Sequence, residues 1–411
     1  MTTRQTCLDL DAADPLAGVR ERFSLPDGII YLDGNSLGAL TRSALVRVNE
    51  ATAQQWGREL ISSWNTHGWI GLPQQAGRKI ARLIGAEVDE VIAADSVSVN
   101  LFKLAAAAVR AQGPERTAVI IERGDFPTDL YILQGLAAAI PEIELRVVEA
   151  GGFQAALDDR TALVLLSHVH YRSGAVRDMA AQSALVRKAG ALSLWDLSHS
   201  AGVLDVRLNR DGADLAAGCG YKYLNGGPGA PAYLFVTKRH QDILRNPLSG
   251  WMGHARPFDF EDDYEPAAGI DRWLCGTPPI LSLTTLDAAL DAFDDVNMPD
   301  VRAKAGALGD LFIEWVETRC APHGLTLVGP REAAARGGQV SFAHPDGWAI
   351  MQNLIARGVV GDFRRPDVIR FGLAPLYVRH VDVWDAVEIL GDILDSESWR
   401  EERFQAVSAV T

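Results

Sequence analysis

The stretch ALSLWDLSHSAG, residues 191–202, joins a short apolar run to a cluster of polar side chains. Asp196 closes the apolar run, and Ser198 and His199 follow it almost at once. A short apolar run of this kind is typical of a strand that is buried on both faces of a parallel sheet. In such sheets ligands bind beyond the carboxyl ends of the strands. The stretch therefore predicts both a buried strand and a polar site at its end.

Six further β-rich runs lie between about residues 90 and 236, and helical patterns alternate with them. The runs are EVIAA, TAVIIE, IELRVV, TALVLLS, DLAAGC and PAYLFV, and helical stretches such as VNLFKLAAAAVRAQG separate some of them. This alternation is typical of βαβ units. We therefore expect an α/β fold whose large domain holds a mostly parallel seven-stranded sheet between helices.

The sequence changes in character near residue 290, which predicts a second, smaller domain. Helical patterns over about 299–321 and 380–396 enclose the short strand-like runs GQVSFA, GVVGDF and VIRFGL. We expect three parts: an N-terminal segment over residues 1–60 that packs with the small domain, a large domain over 61–290, and a small α+β domain over 291–411.

The composition favours a soluble enzyme that acts on a small molecule. Hydrophobic residues make up 48% of the 411 residues, enough for a large core with a smaller domain beside it. The formal net charge of -14 leaves no basic field for nucleic acid or an anionic membrane surface. The N-terminus shows no apolar leader pattern and no stretch is long enough to span a bilayer, so we expect an unexported, cytoplasmic protein.

The cysteines indicate a reducing compartment. They are far apart and include no C-x-x-C pair, which argues against a zinc site and a disulfide framework. The four are Cys7, Cys219, Cys275 and Cys320.

A lysine between two tyrosines, in CGYKYLNGGPG at residues 219–229, is the strongest sign of chemistry. Such a lysine is ordinarily a solvated charge, but a confined lysine can lose its proton and attack a carbonyl. The glycines after Lys222 let the backbone approach a ligand closely. With Asp196 to pair with a protonated pyridine nitrogen, this is the arrangement that pyridoxal phosphate requires. The alternatives are a helix N-cap for Asp196 and a structural hydrogen bond for His199.

The stretch AADSVSVNLFKL predicts a phosphate site at the start of a helix. Val97 and Ser98 fall between a short strand and a strongly helical run. Backbone N–H groups at a helix N-terminus bind anions, and the helix dipole favours negative charge there. The alternative, with Ser98 as a plain N-cap, stays open at this stage.

These motifs resemble those of the kynureninases, among the fold-type I pyridoxal-phosphate enzymes. The resemblance covers most of the chain, and GNSLG, FPTD, GWMGH and RFGLAPLY together are its most specific part. The matching stretches are, in order, YLDGNSLG, SVNLFKL, RGDFPTDLY, LLSHVHYRSG, WDLSHSAG, GCGYKYLNGGPG, GWMGH, GTPPI and IRFGLAPLY. The resemblance implies a fold-type I transferase fold and hydrolysis of L-kynurenine to anthranilate and L-alanine in tryptophan catabolism and NAD biosynthesis. Whether 3-hydroxykynurenine is also cleaved is left open.

The same resemblance implies roles for individual residues. Lys222 is the Schiff-base lysine, Asp196 the partner of the ring nitrogen, and Tyr221 a phosphate ligand that can also protonate the substrate's β-carbon. Trp251 and Thr277 resemble positions that reach the cofactor phosphate from a second subunit, which implies a homodimer with shared sites. The remaining implied cofactor-binding residues are Val97, Ser98, Phe126, Pro127, Thr128, Asp129, Ser167 and His199. No metal is implied.

Three residues are implied to contact the substrate. Arg370 would bind the α-carboxylate, because a guanidinium pairs bidentately with carboxylates; its alternative is a surface or interdomain salt bridge. Trp64 and Ser36 would lie near the substrate's aromatic ring, with a core or interface tryptophan as the alternative for Trp64.

Two other classes of function fit parts of the sequence. A desulfurase or transaminase could use the same scaffold, but a desulfurase needs a mobile cysteine, and Cys275 is the cysteine we place near a site motif, GTPPI. A non-catalytic regulator would have lost the lysine or the aspartate, and Lys222 and Asp196 are both present.

Overall fold

The computed structural model describes residues 3–406, and a seven-stranded sheet forms the centre of this part of the chain. The strands are β1 (Ile30–Tyr31), β2 (Val91–Ala93), β3 (Ala118–Glu122), β4 (Glu144–Val148), β5 (Thr161–Ser167), β6 (Leu192–Asp196), β7 (Leu215–Gly218), β8 (Tyr233–Val236), β9 (Thr326–Leu327), β10 (Gln339–Ala343), β11 (Val359–Val360), β12 (Asp362–Arg364) and β13 (Val368–Gly372).

Helices cover the sheet and build most of the C-terminal third. They are α1 (Arg4–Ala13), α2 (Arg42–Glu50), α3 (Ser63–Thr66), α4 (Leu72–Leu83), α5 (Val97–Gln112), α6 (Pro127–Ala139), α7 (Phe153–Ala156), α8 (Met179–Lys188), α9 (Leu208–Asp211), α10 (Lys238–Gln241), α11 (Ile280–Ala289), α12 (Met298–Arg319), α13 (Gly347–Ala356) and α14 (His380–Ser396). A π-helix over Ala51–Glu59 and several short 3-10 turns complete the structure.

The central sheet has the order β2-β8-β7-β6-β5-β3-β4, and only the pairings of β8 are antiparallel. All seven β-rich runs of the sequence fall on these strands, which confirms the predicted α/β fold. Successive side chains of a strand point to opposite faces, and both faces are buried here. In β5, Val164 packs in the cluster that includes Trp195, whereas Leu165 packs in the cluster that includes Leu104 of α5. The near-continuous apolar runs of these strands follow from this two-sided burial.

A second, four-stranded antiparallel sheet has the order β12-β13-β10-β9. Helices α12 and α13 pack on it, and α14 packs against both helices. In β10 the alternate residues Val340 and Phe342 are buried in the core, with the ring of Phe342 near that of Phe312. Gln339 and Ser341 lie on the opposite face, where they hydrogen-bond backbone carbonyls of residues 171 and 172. This sheet therefore presents polar side chains to a loop that follows β5.

The N-terminal segment touches both halves of the molecule. Helix α1 packs on α14, where the Asp11 carboxylate accepts hydrogen bonds from the N–H groups of His380 and Val381. Strand β1 pairs with β11, but α2 packs on α11, and Ser43 donates to the carbonyl of Ala288. The division into residues 1–60, 61–290 and 291–411 stays a prediction.

Within residues 3–406, no helix combines the length and apolar character needed to cross a bilayer. The four cysteines are unpaired, and over the same residues no group of three or more potential metal ligands comes together.

Candidate active site

A cavity lies at the carboxyl ends of β5, β6 and β7, where the sequence predicts a polar site. Parallel strands end at the same edge of a sheet, and Ser167 and Asp196 are direct partners in the register of β5 and β6. The cavity encloses about 640 Å³, including its open mouth. Its lining residues are Ser96, Val97, Ser98, Phe126, Thr128, Asp129, Asp196, Ser198, His199, Cys219, Tyr221, Lys222, Ala230 and Ala232.

Lys222 is nearly buried in this cavity, as the confined-lysine interpretation requires. Its Nζ atom is 3.0 Å from Nε2 of His199 and 5.7 Å from the centre of the Phe126 ring. The turn that carries it is packed tightly, because a Cβ atom on Gly38 would stand 2.2 Å from the Lys222 carbonyl oxygen. The N–H of Gly38 donates to the carbonyl of Tyr221 at 2.7 Å. The GNSLG motif therefore supports the lysine turn from a distant part of the sequence.

Asp196 presents one carboxylate oxygen to the cavity without a protein partner. Its Oδ1 atom accepts hydrogen bonds from the N–H of Ser198 at 2.9 Å and from the Ser198 hydroxyl at 2.6 Å. Over residues 3–406, Oδ2 accepts none. No helix begins after Asp196, so the alternative in which it is a helix N-cap is wrong.

Asp129 is a second buried carboxyl group in the cavity. Its Oδ2 atom accepts from the Ser167 hydroxyl at 3.3 Å, whereas Oδ1 is buried with no hydrogen-bond partner in the described structure. Burial, and then the charges of Asp196 and Asp125, raise the pKa of Asp129 well above its usual value. An unsatisfied buried oxygen costs roughly 1–3 kcal/mol. A ligand that offers a hydrogen-bond donor at this point would recover that cost.

The N-terminus of α5 opens into the same cavity. Ser96 is the N-cap, because its hydroxyl accepts from the N–H of Val99 at 3.3 Å. Ser98 therefore lies in the first helical turn, and the alternative in which it caps the helix is wrong. The first N–H groups of an α-helix have no intrahelical acceptor, so those of Val97 and Ser98 are available to an anion.

These groups fit pyridoxal phosphate. The cavity combines an amine at Lys222, a carboxylate oxygen without a partner at Asp196, and an anion-binding helix start at Val97 and Ser98. An aldehyde, a pyridine nitrogen and a phosphate need these three kinds of partner. Two predicted cofactor residues lie behind the lining: Pro127 is the first residue of α6, and Ser167 holds Asp129.

Arg370 lies outside this cavity, buried in the four-stranded sheet. Its Nε atom donates to Oδ1 of Asp362 at 2.8 Å, and Nη2 contacts Oδ2 of the same carboxylate. Nη2 also donates to the Ser36 hydroxyl at 3.1 Å, and Nη1 donates to the carbonyl of Tyr171. Asp362 and Arg370 are register partners on β12 and β13. The arginine therefore already holds an ion pair within its own sheet.

A second arginine and a second carboxyl group surround this ion pair. Arg364 lies 2.8 Å from Asp362, and burial, followed by the charge of Asp362, raises the pKa of Asp33 to about 7. Burial alone would also raise the pKa of Asp362, but hydrogen bonds and charge from Arg370, with the charge of Arg364, lower it. Ser36 donates to Oδ2 of Asp362 at 2.5 Å, and its expected place near the substrate ring stays a prediction.

Three predicted residues line a different, mostly apolar cavity. It contains Trp64, Trp251 and Thr277, and the last two are exposed to solvent. The ring of Trp64 is half-buried and meets the ring of Trp69 edge to face at 5.9 Å. The other lining residues are Ile61, Asn65, Ile70 and Phe258. Within one chain, these residues do not join the cavity that contains Lys222.

The sequence analysis missed two side chains at the site. Cys219 lines the cavity, whereas Cys275 does not. Cys219 is the first residue of the motif CGYKYLNGGPG, so its position beside Lys222 in the sequence was a signal for its place in the site. Its Sγ donates to the carbonyl of Ser198 at 3.7 Å, and burial raises the pKa of the thiol, which argues against a desulfurase nucleophile. Gln339 of β10 hydrogen-bonds His199, a contact that only the folded chain reveals.

Solved structures with a similar fold include two cysteine desulfurases and a protein with a PLP cofactor. A cysteine desulfurase from Thermococcus onnurineus NA1 matches with a TM-score of 0.77 at 18% identity, over 92% of this chain and 98% of its own. A cysteine desulfurase from Escherichia coli matches with a TM-score of 0.76 at 16% identity, over 93% and 98%. A variant of C-DES with glycine covalently linked to its PLP cofactor matches with a TM-score of 0.75 at 18% identity, over 95% and 100%. These matches confirm the fold-type I architecture and, at such identity, show the fold alone.

Sequence relatives are much closer. A kynureninase from Burkholderia mallei is 52% identical over the full length of both chains, and one from Pseudomonas fluorescens is 51% identical over the same extent. Residues 301–390 also match the model of the kynureninase C-terminal domain. Identity of this level extends over the whole chain, including the Lys222 cavity and the sheet that carries Arg370. This chain therefore belongs to the kynureninase family.

Proposed function

We propose that Lys222, Asp196 and Tyr221 are the catalytic residues with which this chain cleaves L-kynurenine into anthranilate and L-alanine. As a member of the kynureninase family, the chain is a hydrolase that acts on kynurenine, and pyridoxal 5'-phosphate is its cofactor. The observation that carries the assignment of residues is the shared cavity, where Lys222, Asp196 and the start of α5 meet.

Lys222 is the amine that holds the cofactor and later moves the substrate's α-proton. Its burial and its 3.0 Å contact with Nε2 of His199 fix the position of Nζ. Once bound, pyridoxal phosphate draws electrons from the substrate's Cα into its ring. Asp196 keeps the proton on the ring nitrogen through Oδ2, the oxygen that has no partner in the described structure. Water would add to the γ-carbonyl, and breakage of the Cβ–Cγ bond would release anthranilate and leave the electron pair on the β-carbon, which takes its proton from Tyr221.

Tyr221 supplies the proton that the substrate's β-carbon needs after cleavage. Burial, and then the nearby Cys219 and Asp196, raise the pKa of the Tyr221 phenol. The hydroxyl therefore keeps its proton at neutral pH and can donate it from Oη. We assign the phosphate to the N–H groups of Val97 and Ser98, together with Thr128 in the first turn of α6. Phe126 would lie against the cofactor ring, and Asp129 near its polar edge.

Arg370 is proposed to bind the α-carboxylate of the substrate. Asp362 and Ser36 hold Nε and Nη2, and the Tyr171 carbonyl accepts from Nη1. A guanidinium has five N–H groups, so one N–H of Nη1 has no acceptor within residues 3–406. A carboxylate can gain that hydrogen bond without breaking the pair with Asp362. The ion pair then serves to orient the arginine.

The reaction is tested by product fluorescence with purified protein and added pyridoxal phosphate. We expect anthranilate from kynurenine, none with cysteine as substrate, and loss of the product in Lys222→Ala. Lys238→Ala, at an exposed lysine, is the matched control and should keep full activity. Sulfide or persulfide from cysteine, without anthranilate from kynurenine, would reject the assignment. Parallel assays with 3-hydroxykynurenine would establish the ring preference.

We also propose a homodimer in which Trp251 and Thr277 complete the partner's site. Both residues lie at a surface that also exposes large apolar side chains. These include Ile61 and Phe258, which line the same cavity, and Phe260, whose ring stacks near that of Trp251. An apolar patch of this kind on a folded chain marks an interaction surface. A second copy of the chain would bury it and bring two more side chains to the phosphate.

Mixed dimers test the shared site. Co-expression of Lys222→Ala with Trp251→Ala chains should restore activity, because each mixed dimer then holds one site with both native residues. Co-expression of Lys222→Ala with Asp196→Ala should restore none, because both residues line the cavity of one chain. Equal failure of the two mixtures would contradict shared sites. We place the enzyme in the cytoplasm, in tryptophan catabolism, on the basis of its family and its four unpaired cysteines.

A further inference from the structure

His199 is held between the catalytic lysine and a glutamine from the other sheet. Its Nε2 atom is 3.0 Å from Nζ of Lys222, and its Nδ1 atom is 3.1 Å from Oε1 of Gln339. The amide of Gln339 continues the chain of hydrogen bonds, since its Nε2 atom donates to the carbonyl of Tyr171 at 2.9 Å. All three side chains are buried.

The direction of these hydrogen bonds follows from the Tyr171 carbonyl. A carbonyl oxygen only accepts, so the atom of Gln339 that faces it must be the amide nitrogen. The amide oxygen must then face His199, and an oxygen there requires a hydrogen on Nδ1. The reversed amide would place two oxygens 2.9 Å apart. A neutral imidazole carries one hydrogen, so Nε2 is left as an acceptor toward Lys222.

We propose that Gln339 is a positioning residue that holds His199 as the Nδ1–H tautomer, so that Nε2 accepts a hydrogen bond from the nitrogen of Lys222. The inference rests on the proposed role of Lys222, and it adds a residue that acts on the lysine through the histidine. The four-stranded sheet, which carries Gln339, thus affects the cofactor lysine through His199. Without Gln339, Nδ1 of His199 would have no fixed hydrogen-bond partner.

The surroundings of His199 agree with a neutral ring. Burial, and then the charges of Lys222 and Arg370, lower the pKa of His199 well below its usual value, although the hydrogen bond to Gln339 acts in the opposite direction. The loop after β5 makes room for the glutamine, because a Cβ atom on Gly174 would stand 3.0 Å from Cγ of Gln339. The side chain of Gln339 is therefore packed closely against the loop at Gly174.

A purely structural role for Gln339 makes a different prediction. In that case the glutamine only anchors the loop at Tyr171, as Ser341 does when it donates to the carbonyl of Arg172 at 2.8 Å. Both residues lie on the same face of β10. Ser341→Ala is therefore a matched control that removes a loop anchor and leaves His199 untouched.

The tautomer is measured by nitrogen NMR on cofactor-free protein with labelled histidine, with His199→Asn to assign the signal. We expect an Nδ1–H signal in the wild type, in Ser341→Ala and in Gln339→Glu, which keeps an acceptor oxygen toward His199 but loses the hydrogen bond to the Tyr171 carbonyl. Gln339→Met should lose that signal or show Nε2–H in its place. An unchanged tautomer in folded Gln339→Met would overturn the proposal, and so would an Nε2–H signal in the wild type. Neither NMR result depends on whether the protein cleaves kynurenine, so failure of this proposal and failure of the proposed function can be told apart.

The cofactor-loaded enzyme gives a second readout, the pH midpoint of its visible absorbance band. Acceptance by Nε2 favours the protonated nitrogen of the cofactor-bound lysine, so Gln339→Met should lower the midpoint by about one pH unit. Gln339→Glu adds negative charge and should raise the midpoint. Shifts of the same sign in both variants, or a shift as large in Ser341→Ala, would show a structural role only. If Gln339→Met does not fold, the sign of the shift in Gln339→Glu still decides, because no shift or a lower midpoint contradicts the proposal.

Discussion

The cavity that contains Lys222 and the cavity that contains Trp64 differ in how they are built. The cavity with Lys222 lies at the ends of β5, β6 and β7, and its charged groups are almost fully buried. The cavity with Trp64, Trp251 and Thr277 is lined mainly by loops and short helices, and its residues Trp251 and Phe258 are exposed whereas Trp64 is half-buried. The first is a nearly complete polar site within one chain. The second has the character of a surface that a partner covers.

A single chain positions catalytic groups accurately where they follow the ends of buried strands. Strands in a two-sided core hold their ends in register, as the pairing of Ser167 with Asp196 shows. The segment from Trp251 to Thr277 contains no strand of the described structure, and side chains such as Phe260 have little to pack against. We expect substitutions in the Lys222 cavity to change kcat or KM. Substitutions in the Trp64 cavity should instead change the dissociation constant of the dimer.

Removal of the carboxylate at Asp196 should have the largest effect. Asp196→Ala should lower kcat by about 10³-fold, because the ring nitrogen loses the group that holds its proton. Steady-state assays with kynurenine measure the change. Asp205→Asn, at a partly exposed carboxylate paired with Arg207, is the control. A loss below tenfold in Asp196→Ala would contradict the proposed role.

Replacement of Arg370 by lysine should raise KM by about 100-fold and change kcat less. Lysine has one ammonium with three N–H groups, so it cannot keep the hydrogen bonds of Arg370 to Asp362, Ser36 and Tyr171 and also donate to the substrate. Arg364→Lys is the matched control, because Arg364 also pairs with Asp362 but lies nearer the surface. If both variants raise KM equally, a weakened ion pair with Asp362 explains the effect. The proposed contact between Arg370 and the substrate is then rejected.

A change at the apolar surface should weaken assembly and leave the lysine cavity intact. Phe258 is exposed, and its ring meets that of Trp251 at 5.6 Å. Phe258→Ser should raise the dimer dissociation constant about tenfold by sedimentation analysis, as expected for an aromatic interface residue. Val88→Ser, at an exposed residue before β2, should change nothing. Equal dissociation constants for the two variants would place the interface elsewhere.

The smallest expected effect is on the pH dependence of stability. Asp33 has a folded-state pKa raised to about 7, first by burial. Its contribution to stability is therefore complete below about pH 4 and is lost as the pH rises through 7. Asp33→Asn should reduce the fall in Tm between pH 5 and 8 by a few degrees. Asp27→Asn, at an exposed turn, should leave the fall unchanged; a similar reduction there would show that Asp33 is not responsible.

The sequence predicted those parts of the site that depend on strand ends. The seven strands and the positions of Asp196 and Lys222 follow from apolar runs that stop at polar residues. Gln339 could not be found in this way, because its partner His199 lies 140 residues away, in the turn that follows β6. The pair between Asp362 and Arg370 was missed for a related reason: a cross-strand register is set by folding and not by a motif. The N-cap at Ser96 was missed because three polar residues precede or begin α5, and composition alone does not select among them.

We propose that Lys222 is the one amine that the cofactor engages and that it faces Asp196 across a single cavity. Borohydride reduction of the loaded enzyme, followed by peptide mass mapping, tests it directly. We expect one phosphopyridoxyl group per chain on the peptide that contains Lys222, and no such label in Lys222→Ala. Label on another lysine, or stoichiometric label that persists in Lys222→Ala, would contradict it.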